Sequence, residues 1–192
     1  MDRSTFIQLL VNNQEKLKDR DTLVDACLEN NYVSILIENM SKFDDEDSNF
    51  SARILELACK IKLEIIIPYL DTFCDLLTKV KLNGVVRACS KICELMMIAL
   101  FIKNDVHFKR SLKNDHLEKI VEAGFNWMIT DQKIAVQAYT MRTLYLLGSK
   151  YDWIHYELVL IIEKNIPNGS TGYKNRGRKV IRAIKTNTAL RL

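Results

Sequence analysis

Apolar residues recur along this chain at steps of three and four. Phe6, Leu9, Leu10 and Leu17 begin the pattern. Val33, Leu36, Ile37 and Met40 fall at i, i+3, i+4 and i+7, so a helix would carry them on one face. From Val85 the spacing continues through Cys89, Ile92, Cys93, Met96, Ala99 and Leu100. Val86, Met97, Ile98 and Phe101 fill the positions between. That helix is apolar on almost every side and is expected to be the most buried. Two further stripes are Leu117, Ile120, Val121, Gly124, Phe125 and Met128, then Ile134, Ala138, Met141 and Tyr145. Tyr173, Gly177, Val180, Ile181 and Ile184 form the last. No segment alternates as a half-buried strand does. The pattern predicts an all-α fold of about ten helices joined by short loops.

Punctuation residues set the expected boundaries. Asp44, Asp45, Glu46, Asp47 and Ser48 precede Ser51-Ala52-Arg53 and suit a capped helix start with acids at its positive end. They lack the glycine and terminal glutamate of a calcium loop. Thr130-Asp131 is expected to cap the helix containing Ile134, and Pro68 suits a first helical turn. Pro167-Asn168-Gly169-Ser170-Thr171 reads as a turn, with Ser170 or Thr171 capping a final helix over 171–186.

The spacing also suggests a repeat. Ala52-Arg53 returns as Val86-Arg87, 34 residues on, and Ala138-Tyr139 returns as Gly172-Tyr173 at the same interval. The larger step between these pairs leaves room for an insertion around 103–115. Such a period is that of two-helix solenoid units. We therefore expect residues 1–192 to form a single α-α superhelix of stacked helical hairpins, HEAT/ARM-like; a compact irregular bundle would give a similar pattern.

Several stretches carry a family resemblance: Cys59-Lys60-Ile61-Lys62-Leu63, Pro68-Tyr69-Leu70-Asp71 with Phe73, and Lys81 with Arg87. Lys91-Ile92-Cys93-Glu94-Leu95, Ala138-Tyr139 with Met141, Leu144-Tyr145-Leu146-Leu147-Gly148 and Asp152-Trp153-Ile154-His155 extend it over nearly the whole chain. Together they resemble a family of bacterial helical proteins of similar length, often named adenylosuccinate lyase. The resemblance implies a HEAT-like α-α superhelix and no particular chemistry. The lyase superfamily's Ser-Ser-x-Met-Pro-x-Lys-x-Asn motif does not occur: Pro68 and Pro167 are the only prolines, and neither follows Met. Lyase activity is therefore not expected.

Composition narrows the picture. Only 6 Gly and 2 Pro occur, too few for a turn-rich β fold. Cys27, Cys59, Cys74, Cys89 and Cys93 lie within apolar helical patterns and read as reduced, buried thiols of a cytoplasmic protein. Cys89 and Cys93 share a helix face, but no second pair completes a zinc set. The N-terminus has no secretory pattern, and no apolar run reaches the ~20 residues of a membrane span. The glycines form no phosphate-binding motif, so no cofactor or metal is expected.

His107, His116 and His155 have no ligand partner at helical spacing, and surface or capping roles are expected for them. Asp152 beside His155 is the one pair resembling an oriented general base. The competing reading has Asp152 capping a helix that Trp153 and Ile154 staple to the core. Trp127, Tyr139, Tyr145, Tyr151 and Trp153 line either a groove or the core.

Charge is uneven. Residues 173–192 hold Lys174, Arg176, Arg178, Lys179, Arg182, Lys185 and Arg191, seven bases and no acid. Taking these from 28 bases leaves 21 against 24 acids, so the rest of the chain carries a net −3. Lys174, Arg178, Arg182 and Lys185 form one helical stripe able to neutralise phosphates, or else the solvated cap of a repeat stack.

The reading expected first is a non-enzymatic scaffold binding a protein or peptide through Arg53, Lys60, Arg87, Lys91 and Glu94, which recur on two adjacent units. The alternative is nucleic-acid binding through the basic stripe, in the manner of HEAT-type DNA-repair proteins.

Overall fold

The computed structural model describes residues 1–11, 19–42 and 47–187. Leu17, Asp44, Asp45, Glu46 and Arg191 lie outside the described residues. Eleven α-helices and no strand occur among them: α1 Arg3–Val11, α2 Arg20–Asn30, α3 Val33–Met40, α4 Asp47–Ile61, α5 Leu70–Leu77, α6 Asn83–Met97, α7 Val106–Ser111, α8 Asn114–Ile129, α9 Ile134–Leu147, α10 Asp152–Asn165 and α11 Thr171–Thr186. The fold is all-α.

One row of helices organises the molecule. α6 packs against α4 on one side and α9 on the other, and α11 packs on α9. α2 and α3 flank α4. α5 lies against α8, α8 against α9, and α10 across both α9 and α11. The burial of α6 follows from its place in mid-row: Val85, Val86, Ala88, Cys89, Ile92, Cys93, Met96 and Met97 are all enclosed. Its apolar sequence on nearly every side is what that place requires.

α6 does not stop at Met97. It widens into a π-helical turn over Ile98–Ile102, where the Lys103 N–H reaches the Ile98 carbonyl at 3.0 Å. Asn104 then adopts a left-handed backbone, φ 55°. The Asp105 carboxylate caps α7 by accepting the N–H groups of His107 and Phe108 at 2.8 and 3.2 Å. Residues 103–115 thus hold this short helix and its two connections, anchored by buried Phe108.

Several boundaries differ from the sequence expectation, each for a local hydrogen-bonding reason. Pro68 lies inside a 3₁₀ segment, Leu63–Tyr69, ahead of α5 rather than in a first α-helical turn. Thr130 closes α8 instead of opening α9: its hydroxyl donates to the Asn126 carbonyl at 2.7 Å, and Lys133 precedes α9 without a side-chain cap. Ser48 is buried within α4 and donates to the carbonyls of Asn39 and Lys42, tying α4 to the end of α3. Ser170 does cap α11, accepting the Tyr173 N–H at 3.2 Å.

All five cysteines are unpaired and buried. Burial pushes the Cys27, Cys74 and Cys89 thiols up to about 12, and those of Cys59 and Cys93 upward as well. They are small core hydrophobes. Among the described residues no three potential ligand side chains converge as a metal site, and no helix is long and apolar enough to cross a membrane.

Candidate functional site: a row of ion pairs across three helices

Arg53, Glu56 and Lys60 sit at i, i+3 and i+7 on α4, and Arg87, Lys91 and Glu94 at i, i+4 and i+7 on α6. Each set shares one helix face. Because α4 and α6 are neighbours, the two faces meet. The structure gathers Arg53, Lys60 and Arg87 around Glu56, and sets Lys91 beside Glu94 further along α6, next to Tyr139 and Arg142 of α9.

Glu56 is the pivot. Its side chain is 0% exposed, and its two oxygens accept from three bases. Arg53 Nη1 and Arg87 Nη1 donate to Oε2, both at 2.8 Å, and Lys60 Nζ donates to Oε1 at 2.5 Å. Burial pushes this carboxyl up, but the hydrogen bonds from Lys60 and Arg53 and the charges of Lys60 and Arg87 outweigh burial. The net result is a carboxyl below its ordinary value.

Glu94 repeats the arrangement one helix along. Also buried, it accepts from Lys91 Nζ at 2.6 Å and pairs with Arg142 of α9 at 3.7 Å. The Lys91 ammonium in addition lies 4.5 Å from the ring centre of Tyr139 on α9. The first cluster thus ties α4 to α6, and the second ties α6 to α9.

Two buried carboxylates face five bases: Arg53, Lys60, Arg87, Lys91 and Arg142. Among the described residues the surplus is three positive charges. The carboxylates are enclosed, while the bases keep partial access to water, from 20% for Lys91 to 35% for Arg53. Unused guanidinium and ammonium donors can therefore reach a ligand from outside without breaking the existing pairs.

Glu56 carried a sequence signal that a different weighting would have found, being i+3 from Arg53 and i−4 from Lys60. Arg142 carried none, because its pairing with Glu94 depends on α9 packing beside α6 across the inserted segment.

The C-terminal stripe is less uniform than its spacing implied. Arg178 and Arg182 are exposed and Lys174 is half-buried, without ion-pair partners among the described residues. Lys185 instead pairs with Glu163 of α10 at 3.0 Å. α11 lies close on α10 at Gly177, where an added Cβ would meet Ile162 Cγ2 at 2.6 Å.

His107 is exposed on α7, whereas His116 and His155 are held in structural contacts. His155 Nε2 donates to the Tyr145 carbonyl at 2.8 Å and its ring stacks on that of Tyr145, so Asp152 does not orient it. Nor does Asp152 cap: it is the first residue of α10, and Tyr151 precedes it without a side-chain cap. Ile154 is buried as a core anchor, whereas Trp153 is 54% exposed. His116 is buried, with Nδ1 accepting the Lys113 N–H and Nε2 donating to Asp71 at 2.6 Å. Both ring nitrogens are occupied, so it holds the start of α8 and has no free lone pair for proton transfer. Trp127 is core; Tyr139 underlies Lys91, and Tyr145 packs on His155. Of the five aromatics expected in core or groove, Tyr151 and Trp153 line an open cleft. Compared with known protein families, curated proteins and solved structures, the chain matches none.

Proposed function

We propose that this protein is a non-enzymatic, cytoplasmic helical-repeat scaffold whose row α4–α6–α9 receives an acidic segment of a protein partner. In this reading the helices stack as a HEAT-like α-α superhelix, as the resemblance implies, and the ion-pair row lies along its partner-binding side. The observation that carries the proposal is the surplus of three bases around Glu56 and Glu94. A tie between helices needs one base per carboxylate; the excess leaves donors for carboxylates from outside. Partly buried arginines held by neighbouring groups are pre-ordered, so binding loses little side-chain entropy at them. An acidic protein segment fits better than a nucleic acid here, because the chain outside its last twenty residues carries a net −3 and would repel a long phosphate backbone.

A second reading, nucleic-acid binding through α11, is favoured by the absence, among the described residues, of ion-pair partners for Lys174, Arg178 and Arg182. One experiment separates the two. Fluorescence anisotropy is measured with a labelled glutamate-rich peptide, duplex DNA, single-stranded DNA and RNA at about 50 and 200 mM salt. The scaffold reading expects the peptide to bind and Arg87→Ala with Lys91→Ala to weaken it by about tenfold or more. It also expects charge reversal at Arg178 and Arg182 to leave peptide binding unchanged. Salt-sensitive nucleic-acid binding that this reversal abolishes would replace the scaffold reading with the second.

A further inference from the structure

α8 and α10 enclose an open cleft of about 400 Å³, lined by Glu118, Val121, Glu122, Phe125, Tyr151 and Trp153. Phe125 and Trp153 stack across it with ring centres 5.6 Å apart, leaving the indole largely uncovered. Along α10 the exposed surface continues as Trp153, Tyr156 and Leu160, at 54, 67 and 45% exposure. These three lie at i, i+3 and i+7 on one helix face, the spacing at which a helix meets another helix.

Charge identifies the occupant. Glu118 and Glu122 stand at i and i+4 on α8, where like charges repel. Asp152 and Glu157 add two more carboxylates on α10. All four are exposed, and none has a hydrogen bond or ion pair among the described residues. Two bases stand close by in the sequence and both are engaged elsewhere: Lys150 donates to Asn114 Oδ1 and lies 5.2 Å from the Tyr151 ring centre, and Lys119 on α8 pairs with Asp75 and Asp115. Aromatic faces beside unpaired carboxylates fit a cation, attracted by both the ring quadrupole and the negative charge.

We propose that this cleft and the strip on α10 dock a basic amphipathic helix of a partner protein. Its apolar residues lie on Trp153, Tyr156 and Leu160, and a Lys or Arg enters between Phe125 and the Glu118–Glu122 pair. The site is separate from the ion-pair row, opposite in charge, and does not depend on the function proposed above.

The test uses the full chain and a fluorescein-labelled Leu/Lys peptide patterned as an amphipathic helix, with its Leu/Glu counterpart as comparison. Binding of the Leu/Lys peptide should weaken by about tenfold or more in Glu118→Gln with Glu122→Gln, and separately in Trp153→Ala. Asp25→Asn with Glu29→Gln, on exposed positions of α2, should change it less than about twofold. These side chains are exposed, and thermal melts establish that each variant folds. Three outcomes overturn the proposal: no binding of the Leu/Lys peptide, equal weakening by the α2 variant, or equal binding of the Leu/Glu peptide.

Discussion

Replacing Glu56 with Gln keeps the size of the side chain and removes the charge that Arg53, Lys60 and Arg87 share. Each hydrogen bond to a charged group contributes about 1.5–3 kcal/mol, and three converge here. Against that stands the several kcal/mol needed to strip water from a carboxylate, which the variant no longer has to supply. Breaking a fully buried pair costs about 3–5 kcal/mol. At Glu56 the bases are about one-third exposed, from 34 to 35%, so they regain part of their hydration and the loss is smaller. The glutamine oxygen also still accepts one or two of the bonds. We expect a loss of about 2 kcal/mol at neutral pH, a fall in Tm of about 4–8 °C for a chain of this length. Urea titration followed by far-UV circular dichroism reads it directly.

The pH dependence has a definite sign. The carboxyl of Glu56 lies below its ordinary value of 4.5, so its stabilisation is complete above that value and is lost as pH falls through the lower folded-state value. The gap between wild type and variant should therefore be constant at neutral pH and narrow below about 4.5. A variant within about 1 °C of wild type at pH 7 would refute the argument that the three bases depend on this carboxylate. Glu56→Gln also raises the surplus from three charges to four, so a glutamate-rich peptide should bind more tightly even as the fold weakens. Binding that weakens in step with stability would mark the row as a structural tie alone.

Gly177→Ala should destabilise, because a methyl 2.6 Å from Ile162 forces α10 and α11 apart at about 1–3 kcal/mol, more than the ~1 kcal/mol gained in helix propensity; a thermal melt decides it. Ellman's reagent at about pH 8 should find essentially no reactive thiol in the native protein, and all five in guanidinium, since burial keeps the thiols protonated and enclosed. His155→Ala should lose about 1–2 kcal/mol by removing the bond to the Tyr145 carbonyl, measured by urea titration. Gly148→Ala alone should also destabilise, because its Cβ would strike the His155 ring, and most of that penalty should vanish in the His155→Ala background, a coupling that a double-mutant cycle reads out.

Much of the helix content was legible because it is local. Val33, Leu36, Ile37 and Met40 mark out a helix that runs from the first of them to the last, and the apolar girth of α6 announced its place in mid-row. The boundaries were less legible, since Thr130 and Ser48 each choose among several nearby backbone groups. Thr130 bonds backward to α8 and Ser48 to the end of α3, choices set by packing that a linear pattern does not contain. In the candidate site, Arg53, Lys60, Arg87, Lys91 and Glu94 stand out through the repeat interval. The carboxylate that unites three of them was missed, because Glu56 with Lys60 four residues on reads as an ordinary surface pair. Its burial comes from α6 lying alongside, a long-range fact. The cleft between α8 and α10 was visible only as unassigned aromatics for the same reason.

The side-by-side packing of α4, α6, α9 and α11 also sets the order in which the molecule opens. A helix in mid-row is clasped on two flanks by its neighbours in the row, whereas α11, at one end of the row, packs mainly on α9 and α10. Amide hydrogens should consequently exchange in a gradient, slowest in α6 and progressively faster toward α11. Pulled from its C-terminus, the chain would peel helix by helix rather than rupture at once, behaving as a graded spring with its stiffest coil in the middle.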